Sequence, residues 1–190
     1  MYNKKFPEKY LITPEPICMD LTTFKKRLSV ALLTGIELVQ LRSKEMDSQT
    51  YVKLAEEVLH ICHVHGARLI LNGPNCDLGS TLVDGMHLSS ERLMACTLRP
   101  FPSTGLVSAA CHSLDQLLHA QNIGIDFVTL SPVLATTSHP DARPIGWQRF
   151  ADLVSPMEMP IYALGGMTRN HIVVARSHGA CGIAAITGLW

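Results

Sequence analysis

Residues 161–187 read IYALGGMTRNHIVVARSHGACGIAAIT. A short apolar run at 161–166 ends in a glycine pair, residues 169–178 place apolar side chains at three- and four-residue spacing, and a second apolar run follows at 182–186. Strand, helix, strand is the pattern of two parallel strands joined by a helical crossover. Working outward, the same unit recurs along the chain. Strands are predicted at 9–13, 36–42, 67–72, 84–88, 105–110 and 126–133, and helices at 21–33, 49–65, 113–123 and 147–154. Eight strands, nearly uniform in apolarity as a sheet buried on both faces requires, predict an α/β TIM (β/α)8 barrel. An open doubly wound sheet is the alternative arrangement. At 190 residues the chain is short for a barrel, which typically takes about 250. No helical pattern follows the eighth strand, and the segment between Leu71 and Met86 leaves room for about two helical turns. A compact barrel lacking its eighth helix, forming one domain over 1–190, is the expectation.

Composition narrows the function classes. With 47% hydrophobic residues there is material for one sizeable core, and 16 basic against 16 acidic side chains give no net charge. That balance lacks the electrostatic footprint of a nucleic-acid binder. No stretch reaches the roughly 20 apolar residues of a spanning helix, and MYNKKFPEKY lacks the apolar core of a signal peptide, so a cytosolic protein is expected. The six cysteines show no CxxC spacing and read as reduced core thiols.

In a barrel, residues at strand C-termini face the mouth where ligands bind. Arg42, Lys44, Asn72, His87, His112, Thr136, Thr137, Ser138 and His139 fall there. Two cations, an amide and several hydroxyls suit an anion such as a phosphate ester. The plainer alternative pairs Arg42 and Lys44 with Glu15 or Glu45. Gly165 and Gly166 after strand seven, with Ile186, Thr187 and Gly188 after strand eight, place flexible backbone where many barrels bind phosphate. An ordinary tight turn is the competing explanation. His112 and His139 are the candidate acid/base groups, since imidazole titrates near neutrality; a loop histidine tied by a local hydrogen bond is the alternative. His60, Cys62, His63 and His65 lie at a helix C-terminus, where the dipole favours histidine, and are not read as metal ligands.

Residues 39–44 (VQLRSK), 71–72 (LN), 84–88 (DGMHL), 131–136 (SPVLAT), 163–167 (ALGGM) and 182–186 (GIAAI) together resemble the thiamine phosphate synthase/TenI superfamily. SPVLATTSHPDARPIGWQRF and GIAAITGLW look closest to the synthase-like domains fused behind MutT-type Nudix hydrolases in some bacterial proteins. The resemblance implies a TIM barrel that joins hydroxymethylpyrimidine diphosphate to thiazole phosphate and releases pyrophosphate with Mg²⁺. By position, it implies that Arg42, Lys44 and Asn72 hold the pyrophosphate and that Thr136 and Ser138 sit in the thiazole-phosphate loop. Gly165, Gly166, Ile186 and Thr187 would then cradle that phosphate. The departures fall on the chemistry. Gly73 stands where the synthase has a metal-binding Asp. Its Gly-Gln-Glu-Asp segment, carrying the second such Asp, reads Ser89-Ser90-Glu91-Arg92. A Ser becomes Ala110, the loop Lys becomes His139, and Pro132 replaces the TenI histidine. No metal ligands are assigned here, and Arg92 is the candidate replacement for the metal's charge. The expected partner is a small phosphorylated molecule, with neither nucleic acid nor membrane. A homodimer and a Nudix hydrolase domain are further candidate partners. Two readings follow: a synthase-like transferase or metal-free acid/base enzyme on a related thiazole phosphate, and a non-catalytic ligand-binding or scaffold domain.

Overall fold

Side-chain alternation along the strands sorts two apolar layers. Tyr10, Ile12, Leu38, Ile70, Leu106, Phe127, Tyr162 and Ala184 pack inside the sheet, while their neighbours, such as Leu11, Val39, Leu69, Val107, Val128 and Ile183, pack outward against the helices. The computed structural model describes residues 6–74, 83–100, 105–136 and 141–190. Its strands are β1 (Lys9–Ile12), β2 (Leu38–Arg42), β3 (Arg68–Asn72), β4 (Gly85–Leu88), β5 (Leu106–Cys111), β6 (Phe127–Leu130), β7 (Ile161–Ala163) and β8 (Gly182–Ala185). All neighbours pair in parallel in chain order, and Tyr10 of β1 pairs with Ala184 of β8, so the sheet closes into a barrel. That closure excludes the open doubly wound alternative.

Six α-helices are present among the described residues: α1 (Leu21–Leu32), α2 (Ser48–Val64), α3 (Ser90–Ala95), α4 (Leu114–Asn122), α5 (Gly146–Val154) and α6 (Ile172–Ser177). Four of the six begin at a side-chain cap, with Asp20, Asp47, Ser89 and Ser113 each accepting a first-turn backbone N–H. The short α3 has no counterpart in the sequence reading, because six residues are too few to display a helical period. The predicted helix at 169–178 divides into a 3₁₀ turn, Arg169–His171, and α6.

No helix follows β8. Instead Leu189 is buried, the Trp190 ring packs on Phe24 of α1 with centroids 5.0 Å apart, and Arg169 Nη2 donates to Thr34 Oγ1 at 2.7 Å. At the barrel's N-terminal end, Phe6 packs on Phe127 at 5.0 Å and Arg68 lies over the Phe6 ring at 5.7 Å. Tyr10, Phe127 and Tyr162 fill the interior beside them with edge and tilted contacts. The closed aromatic end leaves the polar chemistry to the other mouth. Among the cysteines, burial pushes the Cys62 and Cys111 thiols up to about 12, whereas Cys18 is exposed and so departs from the core-thiol expectation.

Candidate functional site

The inward register that carries Leu38 and Ile70 at the closed end carries Gln40, Asn72, His87, Ser108 and Thr129 nearer the mouth. Hydrogen bonds link these groups in two sets. Asn72 Nδ2 donates to Gln40 Oε1 at 2.8 Å and Gln40 Nε2 donates to Tyr10 Oη at 2.6 Å. Ser108 Oγ lies 2.8 Å from His87 Nδ1. Because Gln40 Oε1 accepts from Asn72, its amide nitrogen supplies Tyr10. Burial, then the charges of Arg92 and Arg42, push the His87 pKa down to about 3, so the ring is neutral at pH 7. The sequence signal for this network is a polar residue in an inward position of an otherwise apolar strand, as in LVQLR, GMHL and LVSAAC. Only Asn72 among these residues was assigned a site role from sequence.

Thr129 adds an unsatisfied group. Its Oγ1 is buried without a hydrogen-bond partner among the described residues, between outward-facing Val128 and Leu130, and its register partner is Ala110, which has no hydroxyl to offer.

Arg42 ends β2 in register with Asn72, and its backbone N–H donates to Thr13 Oγ1 at 3.0 Å. Glu15 accepts from the Lys44 backbone N–H at 2.8 Å and from Ser43 Oγ. The carboxylate thus braces the loop backbone rather than either cation. The ion pairs among the described residues are Lys25–Glu57, His63–Asp84, Arg99–Asp126 and Arg176–Glu8, so the expected alternative pairing of Arg42 and Lys44 is not found there. His112 is exposed, with Nδ1 donating to the Ser131 carbonyl at 2.9 Å, which leaves Nε2 as an acceptor. Thr136 ends a described segment; Thr137, Ser138 and His139 lie outside the described residues. His63 bonds Asp84 and His65 bonds the Ile61 carbonyl, and among the described residues no group of three metal-ligating side chains forms.

The glycine loops are shaped by one another. Gly165 and Gly166 have φ +98° and +67°, and a Cβ on either would collide with the loop after β6, at 2.8 Å from Pro132 Cα and 2.5 Å from the Ala135 carbonyl. A Cβ on Gly188 would collide with Met167 and Thr168 in turn. Three loops therefore stack against each other across residues 132–135, 165–168 and 186–188. In that stack the peptide N–H groups of Gly165, Gly166, Met167, Thr187 and Gly188 donate to none of the described residues. Successive N–H groups flanking left-handed residues form a concave donor set that accepts an anion.

Comparison with known proteins agrees with this arrangement. The profile of the family described as "Thiamine monophosphate synthase" matches residues 9–189. The chain is 34% identical over 184 residues to "Putative thiamine-phosphate synthase 2" of Aquifex aeolicus (strain VF5), covering 96% of this chain and 97% of that one. It is 32% identical over 161 residues to "Putative thiamine-phosphate synthase" of Geobacter sulfurreducens, covering 84% and 76%. Among solved structures, "Thiamine phosphate pyrophosphorylase from Pyrococcus furiosus" shares the fold with a TM-score of 0.75 at 20% identity, over 95% of this chain and 85% of that one. No helix among the described residues is long and apolar enough to cross a membrane. On the profile match, the two relatives and the closed eight-stranded barrel, the chain belongs to the thiamine monophosphate synthase/TenI family.

Proposed function

We propose that this barrel binds a phosphorylated thiazole- or thiamine-like molecule across its C-terminal mouth. The observation that carries the reading is the set of five peptide N–H groups, at Gly165, Gly166, Met167, Thr187 and Gly188, that donate to none of the described residues. Gly165 and Met167 are buried, where an unpaired donor costs about 1–3 kcal/mol, and a phosphate ester would satisfy several of the five at once. Ile186 and Thr187 flank that cradle, with Thr136 and Ser138 completing the phosphate loop. Across the mouth, Arg42, Lys44 and Asn72 would hold the pyrophosphate of the pyrimidine substrate, as the family resemblance implies. Asn72 is held by Gln40, and Gln40 by Tyr10, so the amide is fixed before the ligand arrives.

For turnover we propose His112 as the proton-transfer group, its Nε2 held outward by the Nδ1–H bond to Ser131, with His139 as the second. The family's transfer of a pyrimidine diphosphate carbon to thiazole phosphate uses Mg²⁺, which supplies charge to the departing pyrophosphate. The described residues do not fit that ion. Gly73 offers no carboxylate, and a Cβ there would lie 2.5 Å from Tyr51 Cε1, so the ring fills the space a metal-binding side chain would need. Arg92 places a cation at the other position. That observation favours a second reading, a ligand-binding domain without synthase turnover.

The two readings separate in one assay: thiamine phosphate formation from hydroxymethylpyrimidine diphosphate, thiazole phosphate and Mg²⁺ at high protein concentration, with Lys44→Ala as control. Turnover abolished by the substitution supports the synthase. Absent turnover with intact thiazole phosphate binding leaves the ligand-binding domain.

We further propose a cytosolic protein with one barrel domain over 1–190. The stretches at 131–150 and 182–190 support a Nudix hydrolase as partner domain, which co-purification with such an enzyme tests. Exposed Val30, Leu33 and Val173 on α1 and α6 support a homodimer, which sedimentation velocity tests.

A further inference from the structure

Helices α5 and α6 run away from the mouth, and their last turns lie just before β7 and β8 begin, at the closed end of the barrel. A groove of about 740 Å³ separates those last turns. The carbonyl end of a helix carries partial negative charge, and here two such ends border one space.

The side chains that line the groove repeat that polarity. Gln148 Nε2 donates to Asp152 Oδ1 at 3.2 Å, and Asp152 Oδ2 has no partner among the described residues. His178 Nδ1 lies 2.7 Å from the Val174 carbonyl, which can only accept, so the hydrogen sits on Nδ1 and the neutral ring presents its lone pair at Nε2. Ser177 Oγ donates to the same carbonyl at 2.9 Å, which leaves that oxygen as an acceptor. Carboxylate, imidazole and hydroxyl therefore offer acceptors, and the described lining contains neither lysine nor arginine. Neighbouring cations do not fill the role. Arg176 is paired with Glu8, and Arg149, one turn before Asp152, joins no ion pair among the described residues.

The frame is fixed. The His178 ring packs on Trp147 with centroids 5.4 Å apart, and Gly179, at φ +93°, lies so close to Val154 that a Cβ would stand 2.9 Å from Val154 Cγ2. Ala151, Val154 and Met157 add an apolar wall beside the acceptors.

We propose that this groove is a second ligand site, remote from the mouth, for a small organic cation with an ammonium or guanidinium head on an aliphatic stem. The head meets Asp152 Oδ2, His178 Nε2 and Ser177 Oγ, and the stem lies along Ala151, Val154 and Met157. Such a head brings only donors to a rim of acceptors, whereas a phosphate would bring only acceptors. The site is independent of the phosphorylated ligand assigned to the mouth.

Amide proton–nitrogen NMR spectra of the full chain, titrated with butylguanidinium chloride, test it. Saturable shifts are expected at residues 151–157 and 177–179, with a Kd on the order of 1 mM for a ligand of this size. Butanol, which has the stem without the charge, is expected to produce no saturable shift there. Asp152→Asn, at an exposed position, should weaken butylguanidinium binding about fivefold or more. His178→Phe keeps a ring beside Trp147 but loses the acceptor, and should weaken it about threefold. Melting temperatures confirm that both variants fold. An absence of saturable shifts at these residues, an equal response to butanol, or an affinity unchanged by Asp152→Asn would overturn the site.

Discussion

The ring of Tyr51 on α2 fills the space that a side chain at Gly73 would need, with Cε1 2.5 Å from where the Cβ would sit. Tyr51 is fully buried and hydrogen-bonded to the backbone of β2 and β3 on both sides, so it cannot swing away cheaply. Gly73→Ala is therefore expected to destabilise the fold by about 1–3 kcal/mol through overpacking. Gly73→Asp is expected to do the same without creating Mg²⁺ affinity. Denaturant unfolding and Mg²⁺ titration of both variants check this; unchanged stability would show that the ring yields.

The stacking of Gly166 against the Ala135 carbonyl makes a second expectation. At φ +67° with a Cβ 2.5 Å from that oxygen, Gly166→Ala must displace one loop from the other. Thiazole phosphate affinity should fall about tenfold or more as the N–H groups lose their common focus. Titration of thiazole phosphate into wild type and the variant reads the difference.

His87 makes stability depend on pH. Its folded pKa, about 3, lies below the unfolded value of about 6.5, so the unfolded chain binds the extra proton between them. The contribution is present above the unfolded value and is lost as pH falls toward the folded one, by up to about 1.4 kcal/mol per pH unit. Urea unfolding at pH 7.0, 6.0 and 5.0 should show stability decreasing in that order. His87→Gln should show a shallower slope, and an equal slope would place the titration elsewhere.

The framework of the barrel was legible because each strand is a continuous apolar run bounded by polar residues and each long helix shows its period over three or more turns. The closing pair of Tyr10 and Ala184 was not, because a run of parallel strands reads alike whether the sheet closes or stays open. The places of Arg42, Asn72 and the glycine pair at strand ends were legible. The polar pairs of Gln40 with Tyr10 and of Ser108 with His87 escaped notice because each member is a single residue on a different strand, and only the register of the closed sheet brings them together. Tyr51 escaped for a related reason. It lies on α2, 22 positions before Gly73 in the chain, and its burial against Gly73 follows from packing rather than from any local pattern.

Thiol chemistry provides an independent check of the packing. Burial raises the Cys62 and Cys111 thiols to about 12, leaving almost no thiolate at pH 8, whereas Cys18 is exposed. Iodoacetamide labelling of the native protein followed by peptide mass mapping should modify Cys18 and spare Cys62 and Cys111. Labelling of Cys62 at a rate matching Cys18 would contradict the packing of α2 on the barrel.

The most direct measurement compares thiazole phosphate with the corresponding thiazole alcohol by titration calorimetry on the full chain. The two differ only in the group assigned to the peptide N–H donors of Gly165, Gly166, Met167, Thr187 and Gly188. The phosphate ester is expected to bind and the alcohol to bind at least about a hundredfold more weakly, the loss of two or more charge-assisted hydrogen bonds. Equal affinities, or no binding of the phosphate ester, would contradict the assignment of this mouth to a phosphorylated ligand.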